Sequence, residues 1–282
     1  MSRTKYLVLT LLVIGLALFA VGCGGGEKPA TNEQAATEKT TWEQIQEKGV
    51  MVVGLDDTFR PMGFRDENNE LVGFDIDMGK ELEKRLGIKI EWMPTEWEGV
   101  TGSLNAKKFD AIINGMSITE DRKKAIAFSI PYVNASIGMA VTKDNEEIKT
   151  AADLEGKVIA TQSGSSGYEA CKKLVEDGIL AEENVKMYAQ YPEAFQDLEI
   201  GRVEAIVVDV TTAEDYVSKK PDNYKIVEEP LVADLYAIGL RKDDTDLKEV
   251  LDNTLREMMA DGTLAEISKK WFDGKDMIAQ PE

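Results

Sequence analysis

The sequence predicts an α/β fold with a sheet rich in parallel strands. Short apolar runs alternate with amphipathic ones, and Ser or Thr precedes an acidic residue by three positions at several places, a pattern that begins helices. The strand-like runs are Val50–Leu55, Ile88–Trp92, Ala111–Ile113, Ile137–Thr142, Val158–Thr161, Val185–Ala189 and Ala205–Val210. The helix-like runs are Phe74–Leu86, Val100–Ala106, Ser166–Val175 and Ala194–Gly201. The candidate helix caps are Ser117, Thr150, Ser166 and Thr211.

The C-terminal part returns to a long amphipathic pattern. Its apolar positions, which run from Leu247 to Trp271, recur at helical spacing, and Gly262 falls between two predicted helices. We expect these apolar residues to be core and not a groove for a partner.

The N-terminus has the pattern of a bacterial lipoprotein signal. Arg3 and Lys5 precede an uncharged apolar run, Tyr6–Val21, which is too short for a comfortable transmembrane anchor. Small residues then lead to Cys23, although the leucine usual before such a cysteine is displaced. We expect residues 1–22 to be a signal peptide and Cys23 to be acylated and to anchor the protein to the membrane. A plain secretory signal followed by a chance cysteine is the alternative.

Residues 23–41 are expected to form a flexible tether. They are rich in Gly, Ala, Thr and charge and have no apolar face. A flexible chain of this length reaches roughly 24 Å. No later apolar stretch is long, so we expect the rest of the chain to be soluble.

Composition limits the possible functions. Removing the signal peptide leaves 31 of the 33 basic residues against 52 acidic ones, a formal charge of −21, which argues against nucleic acid as a partner. The chain has no histidine, the commonest metal ligand and general base, and we expect neither a metal nor a cofactor. Cys171 is the only cysteine besides Cys23, so no internal disulfide is expected.

One short segment carries the most informative local pattern. A buried-strand run, Ala111–Ile113, ends at Asn114-Gly115, a turn that exposes backbone amides. Ser117 then begins a capping-box pattern, and Arg122 lies near the free N–H groups of the predicted helix start. A guanidinium beside unpaired N–H donors suits a small carboxylate. An ordinary strand–turn–helix with a solvated arginine is the alternative.

Further candidates are the residues that follow each predicted strand, because open α/β sheets bind ligands beyond the carboxyl ends of their strands. These residues are Asp56, Asp57, Thr58, Phe59, Arg60 and Pro61 after the first strand, Trp97 after the second, Gly115, Ser117 and Arg122 after the third, Gln162, Ser163, Gly164, Ser165, Ser166 and Gly167 after a later one, and Asp209.

The chain resembles the family 3 solute-binding proteins, the polar-amino-acid receptors of ABC importers. The segment from Asp110 to Phe128 is similar to the family's ligand-binding loop, and residues 73–78, followed by Leu82, are close to its signature. The pattern departs from the signature at Glu83, where a small residue is usual. The resemblance runs from about residue 42 to residue 272.

The resemblance implies a two-lobe, type II periplasmic-binding-protein-like fold with a ligand in the cleft between the lobes. We expect lobe 1 to comprise residues 42–134 plus 233–282 and lobe 2 to comprise residues 135–232. Two crossings, near Tyr132–Ser136 and Leu231–Tyr236, would act as hinges.

The resemblance also implies roles for the candidate residues. Arg122 would grip the α-carboxylate of an amino acid with help from Ser117 and the N–H groups of Ser165 and Ser166. Asp209 and the Gly115 carbonyl would take the ammonium, in a loop that Asn114 turns. Phe59 and Trp97 would sandwich the ligand's side chain, with Asp56 near its tip and Gln162 in reach. Pairing both charges matters because an unpaired buried ion costs several kcal/mol.

Each of these residues has a structural alternative. Phe59 and Trp97 are also plausible core aromatics, and Asp209 a helix N-cap. Gln162 could be only a loop amide, and Asp56 part of a solvated turn. The Ser/Gly run after Gln162 would suit a phosphate, but it lacks the lysine of a P-loop.

The sequence therefore predicts a lipid-anchored, monomeric, extracytoplasmic receptor and not an enzyme. It would deliver a polar L-amino acid to an ABC permease and its ATPase, with a basic amino acid or glutamine favoured and cystine possible. One alternative is a cyclohexadienyl-type dehydratase on the same scaffold, with Asp56 or Glu96 as its acid or base. The other is a sensory ligand-binding component.

Overall fold

Three sheets and nine helices make up the part of the chain, residues 39–280, that a computed structural model describes. The predicted signal peptide and Cys23 lie outside the described residues. The helices are α1 Thr41–Lys48, α2 Phe74–Leu86, α3 Val100–Asn105, α4 Glu120–Ala125, α5 Ser166–Glu176, α6 Tyr191–Glu199, α7 Val210–Lys219, α8 Thr245–Ala260 and α9 Thr263–Trp271. The strands are β1 Val50–Leu55, β2 Thr58–Phe59, β3 Gly63–Arg65, β4 Leu71–Val72, β5 Lys89–Pro94, β6 Ala111–Ile112, β7 Ala127–Phe128, β8 Val133–Thr142, β9 Ile159–Gln162, β10 Val185–Tyr188, β11 Ala205–Asp209, β12 Tyr224–Ile226, β13 Val232–Tyr236 and β14 Gly239–Leu240. Within this range no helix is both long and apolar enough to cross a membrane.

Helix α1 begins where the sequence analysis placed the end of the tether. Thr40 caps it in a capping box with Glu43. The Trp42 N–H donates to the Asp246 carboxylate at 2.8 Å, which ties α1 to the start of α8. Residues 40 and 41 therefore belong to the folded part of the chain.

The first sheet has the strand order β5-β1-β6-β14-β7. Strand β1 runs parallel to β5 and β6, whereas β14 is antiparallel to β6 and β7. The side chains of Met51, Val53 and Leu55 are fully buried, as expected for a strand in a sheet covered by helices. At Gly54 a Cβ atom would lie 2.7 Å from the Phe109 ring, so the glycine lets that ring pack onto the strand.

The second sheet has the order β10-β9-β11-β8-β12, and β13 also pairs with β8. Strand β9 is parallel to β10 and β11, whereas β8 is antiparallel to its neighbours. Cys171 is fully buried on α5 against this sheet, so its thiol is a core group.

The chain passes from the first sheet to the second between β7 and β8 and returns between β13 and β14. The two crossing strands pair with each other, with Val133 opposite Tyr236. The C-terminal segment pairs alongside them, because the Asn134 N–H donates to the Met277 carbonyl at 2.8 Å. The predicted hinge segments are therefore mainly the ends of β8 and β13 and not free loops.

A third, small sheet of β2, β3 and β4 was not predicted from the sequence. Its strands are only two or three residues long, which is too short for a pattern of alternating apolar residues to appear. It carries Phe59 on β2, and it packs on the C-terminal helices through an edge-to-face contact between Phe64 and Trp271.

Three of the four predicted helix caps were misplaced. Helix α4 is capped by Thr119, whose hydroxyl accepts from the Arg122 N–H at 3.3 Å, and not by Ser117. Helix α5 is capped by Ser165 and not by Ser166, and helix α7 begins after Asp209 and not after Thr211. The predicted capping box at Thr150 is confirmed, although it begins a short 3₁₀ turn.

The C-terminal helices complete the core around the first sheet. Leu247, Leu251 and Leu255 of α8 are fully buried, and Arg85 at the end of α2 donates to Asp261 at 2.6 Å. Gly262 adopts a positive φ of 83° between α8 and α9, as its predicted position between two helices requires.

Candidate functional site

A narrow cavity lies where residues from the two large sheets meet. Nine residues line it, and all nine were predicted as site residues: Phe59, Trp97, Gly115, Ser117, Arg122, Gln162, Ser165, Ser166 and Asp209. The cavity leaves about 10 Å³ for the centres of water-sized spheres, which is room for about one water molecule. The two remaining predicted residues, Asp56 and Asn114, are buried but do not line the cavity.

Arg122 provides the positive charge of the cavity. Its guanidinium donates to the Ser117 carbonyl and, across the cavity, to the Gly164 carbonyl, both at 3.0 Å, and lies 5.5 Å from the Trp97 ring. Burial lowers the pKa of this guanidinium, although the charges of Asp234 and Asp209 oppose the shift. Because an arginine side chain loses its proton only at very alkaline pH, Arg122 is cationic at neutral pH.

Asp209 provides the negative charge on the opposite side. It is the last residue of β11 and is 2% exposed. It is also the N-cap residue of α7, as the structural alternative predicted, although its side chain makes no capping hydrogen bond. Its carboxylate accepts from the Tyr236 hydroxyl at 2.7 Å. Burial and then repulsion by Asp234 raise the pKa of Asp209 to about 7.

Asp234 and Tyr236 were missed by the sequence analysis. Both lie on β13, the strand that returns to the first sheet, so neither follows the end of a predicted strand. Burial raises the pKa of Asp234, and within the described residues its Oδ2 atom has no hydrogen-bond partner. They add a carboxylate and a phenol to the region around Arg122 and Asp209.

Phe59 and Trp97 enclose the cavity and also pack in the core. Each is 6% exposed. The Phe59 ring lies 6.1 Å from the Tyr191 ring of the opposite side, and Trp97 packs with Val100 and Phe109. Both aromatic residues are therefore buried, as the core interpretation predicted, and both also line the cavity; their contact with a ligand stays a prediction.

Gly115 brings backbone close to the cavity. It has a φ of +55°, and a Cβ atom there would lie 2.8 Å from the Phe59 ring and 3.2 Å from the Tyr236 ring. Its N–H donates at 2.7 Å to Asp75, a fully buried carboxyl in the first turn of α2. Both the backbone conformation and the space thus require glycine at this position.

Asp75 lies within the segment that resembles the family signature, but it was not predicted as a site residue. Burial raises the pKa of its carboxyl to about 7, against the opposing effects of the nearby Tyr132 hydroxyl and of the hydrogen bond from the Gly115 N–H. The Tyr132 ring stacks on Phe74 at 5.9 Å, and the Tyr132 N–H donates to the Tyr236 carbonyl on the returning strand. Asp75 therefore links the Gly115 turn to the hinge strands.

Ser165 and Ser166 lie at the start of α5 and face the side of the cavity formed by the first sheet. The Ser165 hydroxyl accepts from the Tyr168 N–H at 3.1 Å and so caps the helix. The Ser117 hydroxyl donates to Ser166 across the cavity at 3.0 Å. The first N–H groups of α5 have no acceptor within the helix, which suits an anion.

Asp56 lies next to the cavity and is held there by hydrogen bonds. It is 4% exposed. It accepts from the Thr58 N–H at 2.9 Å and the Thr58 hydroxyl at 2.7 Å, while its own N–H donates to Asn114 at 2.9 Å. Its other carboxylate oxygen accepts from Gln162 across the cavity at 2.6 Å. Burial raises the pKa of Asp56, and the donors from Thr58 and Gln162 oppose the shift.

Four hydrogen bonds join the two sides of the cavity. They are Gln162 to Asp56 at 2.6 Å, Arg122 to the Gly164 carbonyl at 3.0 Å, Ser117 to Ser166 at 3.0 Å and Thr212 to the Arg60 carbonyl at 2.6 Å. A molecule larger than water can enter only if some of these bonds break.

The chain is similar to known proteins over most of its length. Residues 51–274 match the model of the bacterial extracellular solute-binding proteins, family 3. The L-cystine-binding protein TcyJ of Escherichia coli (strain K12) is 36% identical over 230 residues, which cover 81% of this chain and 85% of TcyJ.

Two solved structures extend the comparison. An ancestral arginine-binding protein bound to arginine is 42% identical with a TM-score of 0.75, over 79% of this chain and 98% of that chain. The ancestral amino acid-binding protein AncCDT-1, a precursor of cyclohexadienyl dehydratase, is 35% identical with a TM-score of 0.75, over 83% and 100%. These similarities confirm the predicted fold class, a two-lobe α/β fold of the type II periplasmic-binding-protein-like kind.

The Asp75→Asn variant tests the buried carboxyl beneath Gly115. The folded protein binds an extra proton at Asp75 between about pH 4 and about pH 7, so the stability contributed by that proton is present below pH 4 and lost as pH rises through 7. Asparagine keeps an acceptor for Gly115 but does not titrate. We expect the melting temperature of the variant to rise relative to wild type as pH increases from 4 to 8. Asp222→Asn, at an exposed residue before β12, is the control and should show a constant difference. A constant difference for Asp75→Asn as well would contradict the assignment.

Proposed function

The chain belongs to the bacterial extracellular solute-binding proteins of family 3, and from that premise we propose that it is the receptor of an ABC importer for a polar L-amino acid. The observation that carries this proposal is the pair Arg122 and Asp209, opposite charges that line one cavity from different sheets. A free amino acid has a carboxylate and an ammonium on the same carbon, and both need a partner when water is removed.

In the proposed complex, the carboxylate of the ligand exchanges for the carbonyls that Arg122 now contacts. A carboxylate accepts two parallel hydrogen bonds from a guanidinium, which is a stronger interaction than two neutral carbonyls provide. The Ser166 and Gly167 N–H groups at the start of α5 add donors. The ammonium lies between Asp209 and the Gly115 carbonyl, and the side chain extends between Phe59 and Trp97.

The known relatives differ in what their names say they bind, which is cystine for TcyJ and arginine for the ancestral protein. A basic amino acid or glutamine suits this chain best. Asp56 places a carboxylate at the edge of the cavity, and a long aliphatic stem would be buried between the two aromatic rings.

A dehydratase activity is the second candidate, because AncCDT-1 is a precursor of a dehydratase. Neither of the residues predicted as the acid or base is positioned to catalyse a dehydration. Glu96 is exposed, and Asp56 is held by Thr58 and Gln162 and does not line the cavity. A binding receptor without catalysis is the better proposal, and turnover of prephenate or arogenate would contradict it.

We further propose that the receptor acts on the extracytoplasmic face of the cell membrane, as a monomer held by a lipid on Cys23. The basic start, the apolar run and the small residues before Cys23 support this. Delivery to the permease and its ATPase would then occur close to the membrane.

Replacing Arg122 by alanine tests the carboxylate grip. The loss of one member of a buried charge pair costs roughly 2–5 kcal/mol, which is about 30-fold to several-thousand-fold in affinity. Calorimetry with each of the twenty amino acids should show no useful binding, while the melting temperature shows that the fold survives. Lys123→Ala is the matched control, because Lys123 is the next residue on α4 and its side chain is 51% exposed. Near-wild-type affinity in Arg122→Ala would rule out this role.

Solution scattering tests hinge closure. Arg122 and Asp209 come from different lobes, so only a closed cleft pairs both ends of the ligand. The structure has the two sides joined by hydrogen bonds, so we expect ligand to enter from an open form in which these bonds are broken. From that open form the radius of gyration should fall when the ligand saturates the protein, and it should stay constant in Arg122→Ala at the same ligand concentration. Tight, saturable binding to wild type with an unchanged radius would show that the lobes do not close.

The Cys23→Ala variant tests the anchor. Cells expressing it should release or mislocalise the protein, whereas wild type should partition with the membrane and carry acyl chains on Cys23. Amino-acid affinity in vitro should be equal for the two. Wild-type protein found wholly in the soluble fraction with an unmodified Cys23 would overturn the anchor.

A further inference from the structure

The side-chain end of the cavity is formed by a hydrogen-bonded pair, Gln162 and Asp56. Gln162 is 2% exposed and lines the cavity. Its Nε2 atom donates twice, to Asp56 Oδ2 at 2.6 Å and to the Ala189 carbonyl at 2.9 Å. Both protons of the amide nitrogen are therefore in use.

The chemistry of the two partners fixes which way the Gln162 amide points. A carboxylate and a backbone carbonyl can only accept hydrogen bonds. A flipped amide would put its oxygen against two acceptors and leave its N–H groups unpaired, which is unfavourable in a buried position. The amide oxygen is thus the free end of Gln162, and it is an acceptor.

Hydrogen bonds also fix the Asp56 side chain, so its carboxylate cannot rotate away from Gln162. One carboxylate oxygen accepts from the Thr58 N–H and hydroxyl at 2.9 and 2.7 Å, and the backbone N–H of Asp56 donates to Asn114 at 2.9 Å. The second oxygen is thereby directed at Gln162. Ala189, in contrast, lies on the same side of the cleft as Gln162, so it holds the amide whether or not the cleft is open.

We propose that Asp56 is a positioning residue that fixes the Gln162 amide, so that this end of the cavity offers only hydrogen-bond acceptors to the ligand's side chain. The inference rests on the proposed function of amino-acid binding. It narrows the ligand class to side chains that end in a donor, namely an ammonium, a guanidinium or a carboxamide. Side chains that end in a carboxylate alone, as in glutamate, or in plain hydrocarbon are disfavoured.

The same selectivity follows if a bound side chain replaces Gln162 at Asp56. The atom that the ligand then meets is a carboxylate oxygen, again an acceptor, while Ala189 still holds the amide nitrogen of Gln162. Either arrangement leaves a carboxylate tip facing oxygen atoms without a proton between them.

Calorimetry on the full chain tests the proposal with ligands that differ in their side-chain tips. The panel is arginine, lysine, glutamine, the γ-methyl ester of glutamate, glutamate and norleucine. Glutamine and the ester are both uncharged, but the ester can only accept, so their ratio of affinities reports hydrogen-bond direction without a difference in charge. The tightest ligand of wild type should be arginine, lysine or glutamine.

Asp56→Asn puts an N–H group at this end of the cavity, which either faces the ligand directly or donates to Gln162 and favours the flipped amide against the hold of Ala189. We expect the affinity of the ester relative to that of glutamine, or to that of the tightest donor-tipped ligand, to rise roughly 10- to 100-fold. Asp57→Asn is the matched control. It removes the same charge one residue away, where the carboxylate pairs with Arg65 at 2.6 Å and not with Gln162, and should leave the ratio unchanged.

A second measurement, on the wild-type protein, tests the proposal if the Asp56→Asn variant does not fold. In ligand-bound wild type, the side-chain amide protons of Gln162, assigned by their loss in Gln162→Met, should exchange with water much more slowly than those of Gln46, which is exposed on α1. Equal exchange rates would overturn the fixed amide.

The remaining outcomes are distinct. Tightest binding of wild type to glutamate, the ester or norleucine would overturn the acceptor-only end, as would an unchanged ratio in a folded Asp56→Asn variant. Absence of binding by every amino acid would instead refute the proposed function on which the inference rests.

Discussion

Charge buried away from water needs a partner, and this constraint organises the cleft. The fold brings Arg122 from one side and Asp209 from the other and gives each neutral partners, backbone carbonyls for the first and the Tyr236 hydroxyl for the second. These partners do not fully offset burial, because the pKa of Asp209 is raised to about 7 and that of Arg122 is lowered. Each group therefore still favours an opposite charge at the cavity. A zwitterion supplies both charges at once, which is why we connect this geometry with amino-acid binding.

A hydrogen bond to Asp75 holds the turn at Gly115, which lies near Arg122 and Asp209. Gly115 has no side chain and a positive φ, so its backbone can approach the Phe59 and Tyr236 rings. Asp75 takes its N–H, and the same carboxyl lies beside Tyr132 at the first hinge crossing. The turn whose carbonyl we propose for the ammonium is thus held by a group that also lies beside the segment joining the two large sheets. If the proposed closure occurs there, the position of this turn is physically connected to it.

The local sequence pattern predicted those elements for which the residues allow few other structures. A continuous apolar run such as Val50–Leu55 has to be buried, and residues that follow parallel strands converge at one edge, so the cavity lining could be predicted. The start of α4 could not be predicted, because both Ser117 and Thr119 can cap a helix. Ser117 instead contacts Ser166 across the cleft, which leaves Thr119 as the cap.

The same limit applies to the groups beside the cavity. No local pattern encodes that Tyr236, on the returning strand, donates to Asp209, or that Gln162 reaches Asp56 from the opposite lobe. Such contacts depend on where distant segments meet, and a single sequence contains that information only through the whole fold. Sequence reasoning therefore predicted Asp56 near the tip of the ligand's side chain, but it could not predict that the second carboxylate oxygen of Asp56 accepts from Gln162 across the cavity.

The hydrogen bonds across the cavity set the scale of any affinity. A ligand gains only the difference between its own contacts and those it replaces, so the bonds from Arg122 to Gly164 and from Ser117 to Ser166 count against it. The neutral bond from Ser117 to Ser166 contributes about 0.5–1.5 kcal/mol, whereas the bond from the charged Arg122 to Gly164 contributes about 1.5–3 kcal/mol. Exchange of neutral partners for charged ones is nevertheless favourable at Arg122 and Asp209, because hydrogen bonds between two ions are stronger than those between an ion and a neutral group. An uncharged molecule of the same shape would gain little, so the closed contacts themselves act against ligands that lack both charges.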